Sequence, residues 1–432
     1  MEPTFVIAGR LHRDYLLPPL GRPLIDQPGG NLLYAAAGLG VWPRAPSGNR
    51  DYPAPSGNRD YPAGTGTTTE SGVPCWNRDY PAPSGNRDYP VGLLARVGED
   101  YPHDWLRSFE KRGWDTRGIH ILAEALDLRY FQATLPRAPS GNRDYPAPSG
   151  NRDYPAGTGT TTESQLVQHS NPVVHFARLG LPFPKSLLGY QPPAPVPRPG
   201  TGTTPSRAGT GTTPLEPGLT RPDNDRKTPH PASPRPNDIP PDYLNARAVH
   251  ICPLDYATVS RLTSTFRQAS VTTLTLDPSA ATMTGKAFED VGILLHGLTA
   301  FLPSEEELRA LFWGRTDDLW QMAEALGEFG CEFIVVKRGA RGQMLYDSVS
   351  KKRWEIPAYP ARLTDATGAG DSFCGGFLAG YQKTYDPLRG VLYGCVSASL
   401  TIEGSGVFHA LEALPGLAQA RLDSLTGIVR QI

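Results

Sequence analysis

An excess of charge of either sign is missing from this sequence. Its 42 lysines and arginines meet 43 aspartates and glutamates, for a formal net charge of −1 over 432 residues. A nucleic-acid-binding face needs surplus positive charge, and no basic-aromatic stripe supplies one, so no nucleic-acid partner is expected. Cysteine is scarce too. Cys75, Cys252, Cys331, Cys374 and Cys395 are odd in number and form no C-x-x-C pair. That excludes a disulfide framework and reads as a reduced, cytoplasmic protein. No apolar run reaches the roughly 18 residues a membrane-spanning helix needs, so no membrane partner is expected. Residues 1–9 carry an acid where a signal peptide carries bases, and they read as a first strand. No G-x-x-x-x-G-K-[ST] loop occurs, which excludes P-loop chemistry. His12, His103, His250, His296 and His409 fall at no metal-ligand spacing, and His175-Phe176 reads as packing.

Glycine and proline are abundant, at 46 and 45 residues, and hydrophobic residues make up only 39%. Repeats explain the imbalance. The unit APSGNRDYP starts at Ala45, Ala54, Ala82, Ala138 and Ala147, and Pro43 to Ser71 is identical to Pro136 to Ser164. A Gly-Thr-Gly-Thr-Thr element recurs at Gly200 and Gly209 within a proline-rich stretch. A nine-residue unit with one bulky residue, its tyrosine, cannot stack into a solenoid core. Turns or disorder are expected, because proline removes donors and glycine adds backbone entropy. Low-complexity insertions are therefore assigned to about 43–90, 136–164 and 195–241. They read as surface loops, with a proline-rich docking segment as the alternative. What remains, roughly 310 residues, suits one large domain, so 1–432 is read as a single interrupted domain.

The remaining text alternates strand and helix patterns. Strands are expected at 5–8, 91–97, 128–135, 249–252, 273–276 and 333–336. Helices are expected at 31–41, 101–114, 255–268 and 317–329. Such alternation predicts an α/β fold with a mostly parallel sheet covered by helices on both faces. Ligands in such sheets sit at the carboxyl ends of the strands.

The chemistry concentrates in Asp365-Ala366-Thr367-Gly368-Ala369-Gly370-Asp371, which opens a helix carrying Phe373, Phe377, Leu378 and Tyr381 at helical spacing. Free N–H groups and the dipole at a helix start form an anion site, and small residues let the backbone approach phosphate oxygens. An acid at that first turn repels a phosphate unless it has another task, such as taking a proton from an attacking hydroxyl. Gly375-Gly376 inside the helix points to close packing or ligand approach.

Residues 365–371 resemble the D-T-x-G-A-G-D signature of the ribokinase-like (PfkB) carbohydrate kinase family, with Ala366 where Thr or Pro is usual. Gly29-Gly30 resembles the family's N-terminal glycine pair, Val97-Gly98-Glu99-Asp100 its vGxD, and Val336 to Gly342 its vTlGaxG turn. The resemblance implies a ribokinase-like sheet with a small β lid, formed by about 11–28 and 119–193, the second repeat block lengthening a lid turn. It implies ATP-dependent phosphorylation of a hydroxyl on a sugar or sugar-like molecule, with Mg²⁺. A nucleoside kinase of the same fold and a non-catalytic ligand-binding member are the alternatives. Asp371 would be the general base, and the N–H groups of Gly368, Ala369 and Gly370 the anion hole. Gly339 and Gly342 would line the nucleotide site, with Asp365 and Thr367 also on the cofactor side. Asp365 and the turn Thr401-Ile402-Glu403-Gly404 lie where some members bind a monovalent cation.

Glu307 takes the glutamate place of the family's pNxxE and would shape the Mg²⁺ site, with Ser304 where Asn is usual. Ser304 and Glu307 also spell a helix capping box. Asp14, Gly29 and Gly30 would bind the substrate, and Tyr34 stands where the family's later Asn is expected. A homodimer through the lid is the assembly implied.

Overall fold

Every residue of the first strand, β1 (Phe5–Ala8), is buried, and its alternation divides the interior into two layers: Val6 and Ala8 join one core cluster, Phe5 and Ile7 another. The computed structural model describes residues 2–18, 22–42, 91–136, 164–167, 172–191, 226–269 and 271–432. These fall in one unit of the chain, Met1–Trp42 with Tyr89–Ile432.

From β1 the chain leaves the main sheet to form β2 (His12–Leu17) and β3 (Leu24–Gly29), then returns through α1 (Asn31–Gly40). β4 (Val91–Val97), α2 (His103–Lys111) and β5 (Trp114–Ile121) follow, with β4 parallel to both β1 and β5. β6 (Arg129–Pro136), β7 (Ser164–Val167) and α3 (Pro172–Arg178) form a second excursion. The main sheet resumes with β8 (Ala248–Ile251), α4 (Tyr256–Gln268), β9 (Thr273–Leu276), α5 (Phe288–Leu295), β10 (Ala300–Phe301), α6 (Glu305–Leu311), α7 (Leu319–Gly327) and β11 (Phe333–Lys337). β12 (Gln343–Asp347) and β13 (Arg353–Ile356) come next. α8 (Ala369–Thr384), α9 (Pro387–Thr401), α10 (Leu417–Thr426) and β14 (Arg430–Gln431) complete the chain.

The ten-stranded main sheet has the order β14-β13-β12-β11-β10-β9-β8-β1-β4-β5. Pairing is parallel from β11 to β5 and antiparallel from β11 to the β14 edge. Ile334 and Val336 of β11 face the layer of α4 to α7, while Phe333 and Val335 face that of α8 to α10. The four-stranded lid sheet has the order β3-β2-β6-β7. Pro136 pairs with Ser164, so the second repeat block lies between two paired strands. Residues 137–163, like the whole block 43–90, lie outside the described residues.

Two boundaries differ from the sequence expectation. Residues 119–121 belong to β5, where Ile119 pairs with Ala95 and Ile121 with Val97, so the lid begins later and the helix expected to reach 114 stops at Lys111. The proline-rich stretch assigned to 195–241 also ends too late. In its last part Ser233 and Ala232 are buried, Asp238 holds buried Arg96 through two hydrogen bonds of 2.6 and 2.8 Å, and Ile239 joins the core. Composition cannot register a partner 142 residues away. The rest of that stretch, up to residue 225, lies outside the described residues.

The glycines of α8 serve packing. A β-carbon at Gly375 would lie 1.9 Å from the Ala35 carbonyl oxygen, and one at Gly376 would lie 2.4 Å from Ser397 Oγ. α1, α8 and α9 are thus pressed together, which fixes where α8 begins.

Candidate active site

α8 starts at the carboxyl end of the parallel strands. Its N-cap is Gly368, left-handed at φ 72°. A β-carbon there would strike the Tyr34 ring at 2.1 Å, so both conformation and space demand glycine. Ala369 N–H donates to the Ala366 carbonyl at 3.2 Å. Of the three N–H groups expected to form an anion hole, that of Ala369 is thus engaged within the turn. Gly368 and Gly370 remain as donors that the first helical turn leaves without intrahelical partners. Asp371 is half-buried beside them. Burial pushes its carboxyl up to about 6, against the pull of the Lys337 ammonium, with the Glu307 charge adding to the rise.

On one side of Asp371 lie the ends of β9, β10 and β11. Lys337, the last residue of β11, places Nζ 2.6 Å from Asp277 Oδ2 and 3.7 Å from Cys374 Sγ. The Cys374 thiol donates to the same Asp277 oxygen at 3.4 Å. Burial pushes Asp277 up to about 6 although Lys337 opposes it, and Lys337 itself is held above its usual range by its acidic neighbours, Asp277 foremost, in spite of burial. Glu307 forms the capping box with Ser304: its Oε2 accepts from Ser304 N–H at 2.7 Å and from Ser304 Oγ at 2.8 Å. Burial and the Asp277 charge push Glu307 up to about 7.

On the other side lies the lid. Asp14, 2% exposed, sits on Gly29 so closely that a β-carbon there would overlap its carboxylate at 1.8 Å, and the Gly30 N–H donates to it. Burial, with the Asp365 charge adding, pushes Asp14 up to about 8. Asp365 Oδ1 accepts from Thr367 N–H at 3.0 Å and Thr367 Oγ1 at 2.6 Å. Gln132, from lid strand β6, donates to Thr367 Oγ1 at 2.6 Å. Asp14 Oδ1, Asp365 Oδ2 and the Tyr34 hydroxyl are buried without a hydrogen-bond partner. The His12 and Tyr130 rings stack nearby at 5.0 Å and 18°.

The structure thus gathers Asp371, Asp14, Asp365, Thr367, Gly29, Gly30 and Glu307 around the start of α8. Gly339 and Gly342 lie on the turn after β11. Gly342, at φ 82°, abuts the Ile356 carbonyl, where a β-carbon would come to 2.1 Å, while a β-carbon on Gly339 would meet open space. Of the second suggested cation-binding element, Glu403 is ion-paired with Arg421 at 2.6 Å.

Residues 221–414 match the model of the pfkB family carbohydrate kinases. That stretch, less than half of the chain, holds α8 and the strands β8 to β13. It is 30% identical over 145 residues to a cytidine kinase of Thermococcus kodakarensis, covering 34% of this chain and 51% of that protein. It is 39% identical over 74 residues to a nucleoside kinase of Methanocaldococcus jannaschii, covering 17% of this chain and 24% of that protein. The chain therefore spans about half, or less, of the length of these relatives. An E. coli protein described as a ribokinase II, solved with ATP and Mg²⁺, superposes over 98% of this chain and 100% of its own with a TM-score of 0.54 at 13% identity. That likeness shows the ribokinase-like fold.

Sequence reading passed over Lys337, Asp277 and Gln132. Lys337 lay inside a quoted turn, and Asp277 directly follows the buried strand Thr273–Leu276. Both are the first charged residue after an apolar parallel strand, a signal that points to the ligand end of the sheet. Nothing local marks Gln132, since its partner is 235 residues away.

Proposed function

We propose that this protein is a kinase of the PfkB family that transfers the γ-phosphoryl group of ATP to a hydroxyl of a sugar. The observation that carries the reading is Asp371 at the first turn of α8, between the Asp14 and Asp365 carboxylates on one side and Lys337 with Asp277 on the other. Asp14 and the Gly30 backbone orient the acceptor, and the orphaned oxygens of Asp14 and Asp365 suit hydroxyl hydrogens. Asp371, with a carboxyl near 6, is ionised at neutral pH and takes the proton from the attacking hydroxyl. The Gly368 and Gly370 N–H groups hold the phosphoryl oxygens as charge develops. The lid strands cover the acceptor and exclude water from the transfer.

Among the described residues no group of three or more ligating side chains could hold a metal ion. Mg²⁺ arriving on the nucleotide with most of its waters needs few protein ligands. The residues fit it: Asp277 Oδ1 is buried without a partner, and the Glu307 cap uses Oε2 alone. Bound there, Mg²⁺ would supply neutralisation of the phosphate charge.

A nucleoside acceptor is the second reading. The stacked His12 and Tyr130 rings beside Asp14 offer a flat surface for a base, and the two relatives named above are called cytidine and nucleoside kinases. ADP release measured with ribose, fructose, cytidine and inosine as acceptors tests both. Turnover with the sugars supports the first reading, and turnover confined to nucleosides supports the second. No release with any acceptor, while ligands still bind, would leave a catalytically silent binding protein.

A further inference from the structure

We propose that Lys337 is a catalytic residue whose ammonium, anchored on Asp277 beside the turn 368–370, binds the transferred phosphoryl group. The inference rests on the phosphotransfer reading above. Its first support is position. Lys337 ends β11, and a β-carbon built on Gly370 would lie 3.5 Å from Nζ. The same Nζ lies 3.7 Å from Sγ of Cys374, one helical turn further along α8. The ammonium therefore runs alongside the first turn of α8, on the flank of the N–H donors that face an incoming anion.

Charge is the second support. Asp277, Glu307 and Asp371 lie close enough to Lys337 and to one another to shift each other's ionisation. A phosphoryl group entering among three carboxylates is repelled unless a cation stands with it. The next cations along the chain are committed elsewhere: Arg338 pairs with Glu355 at 3.6 Å and Arg341 with Glu305 at 2.7 Å. Lys337 is the one turned toward α8. A compact ammonium on a flexible stem can keep Asp277 as its anchor and still donate a further hydrogen bond to a phosphoryl oxygen, because it carries three donors.

The competing view is that Lys337 merely neutralises buried Asp277. The two views differ in what they predict for nucleotides with and without a γ-phosphate. In Lys337→Met, calorimetric affinity for Mg²⁺–AMP-PNP should fall about tenfold, the worth of a charged hydrogen bond, while affinity for Mg²⁺–ADP holds within about twofold. Turnover with the best acceptor of the panel should fall about 10²–10³-fold, as when an oxyanion donor is lost, with acceptor KM little changed. Equal losses for the two nucleotides, or an undiminished kcat, would overturn the inference.

Should Lys337→Met fail to fold, Lys337→Arg keeps a cation for Asp277 but replaces the point charge by a planar fork. It should fold and still lose at least about tenfold in kcat. Arginine at near wild-type kcat would overturn the assignment. Wild-type protein that binds neither nucleotide would sink the phosphotransfer reading and this inference with it. Wild-type protein that binds both, beside a variant that loses both equally, would sink the inference alone.

Discussion

Toward the lid, Asp14 and Asp365 lie close enough to feel each other's charge, and each keeps one buried oxygen without a partner, as does Tyr34. Toward β9 and β11, Asp277 is equally buried but leans on Lys337 at 2.6 Å. Asp14 is accordingly pushed up to about 8 and Asp277 only to about 6. An acid with only the His12 ring near it, Nδ1 at 3.9 Å, takes up a proton and meets hydroxyls as a donor or acceptor, whereas an acid with a lysine stays ionised and keeps a positive charge in place. Asp371 stands between the two neighbourhoods, where the proposed reaction would bring a hydroxyl on one side to a phosphoryl group on the other.

The largest effect should come from the residue that joins the two sides. Asp371→Asn should fold and bind nucleotide yet lose about 10²–10⁴-fold in kcat, the usual worth of a general base. The wild-type kcat should fall as pH drops below about 6, where the Asp371 carboxyl takes up its proton. A variant with near wild-type kcat, or a rate flat from pH 5 to 8, would remove Asp371 from the chemistry.

Asp14→Asn breaks the lid side. Acceptor KM should rise about three- to tenfold, as when one neutral hydrogen bond is lost, with nucleotide affinity unchanged. Stability should move the other way. The folded pKa of Asp14, near 8, lies above its unfolded value of 3.8, so the folded state holds an extra proton between them. The stabilising contribution is complete below the unfolded value and is lost as pH rises through about 8. Asparagine carries no such charge, so the melting temperature of the variant should exceed wild type at pH 8.5 and converge with it near pH 4. Melting curves that run parallel at all pH values would contradict the raised, buried carboxyl.

Much of this contrast was legible in the sequence. Asp371 and the glycine turn stand in a motif, Asp14 stands where the family resemblance implies an acid, and the alternating patterns placed β1, β4, β8, β9 and β11 within a residue or two. The cation of the opposite side was less visible, because a lone lysine at the end of an apolar strand meets its neighbours only when α8 packs against it. The tail of the proline-rich stretch was misread for a related reason: Ile239 and Asp238 acquire meaning from the core and from Arg96, both distant in sequence. The edge hairpin of β12 and β13 went unforeseen, since four or five residues carry too little periodicity.

Glu307→Gln probes the β10 end of the cationic side more gently. Glutamine can still accept from Ser304, so the cap should survive with a stability change below about 1 kcal/mol. The Mg²⁺ concentration for half-maximal rate should rise about three- to tenfold, the worth of one modest polar contact. With its carboxyl near 7, Glu307 ionises further as pH rises from 6 to 8, so the wild-type Mg²⁺ requirement should fall over that range and that of the variant should not. A lower melting temperature with an unchanged Mg²⁺ titration would assign Glu307 to the cap alone.

Tyr34→Phe sharpens the comparison at its smallest scale. The Tyr34 ring fills the space that Gly368 leaves, and phenylalanine keeps that contact. Only the hydroxyl is lost, and it is buried without a partner among the charges of Asp14, Asp365 and Asp371. A buried hydroxyl with nothing to bond costs stability, so its removal alone should leave the melting temperature unchanged or raise it by the equivalent of up to about 1 kcal/mol. If the lid side is poised for hydroxyls, the same group gains its partner when the acceptor binds. Acceptor KM should then rise about three- to tenfold, one neutral hydrogen bond, with kcat and nucleotide affinity holding. A gain in stability with unchanged KM would mean that the hydroxyl never meets the acceptor, and the lid side would then rest on Asp14 and Asp365 alone.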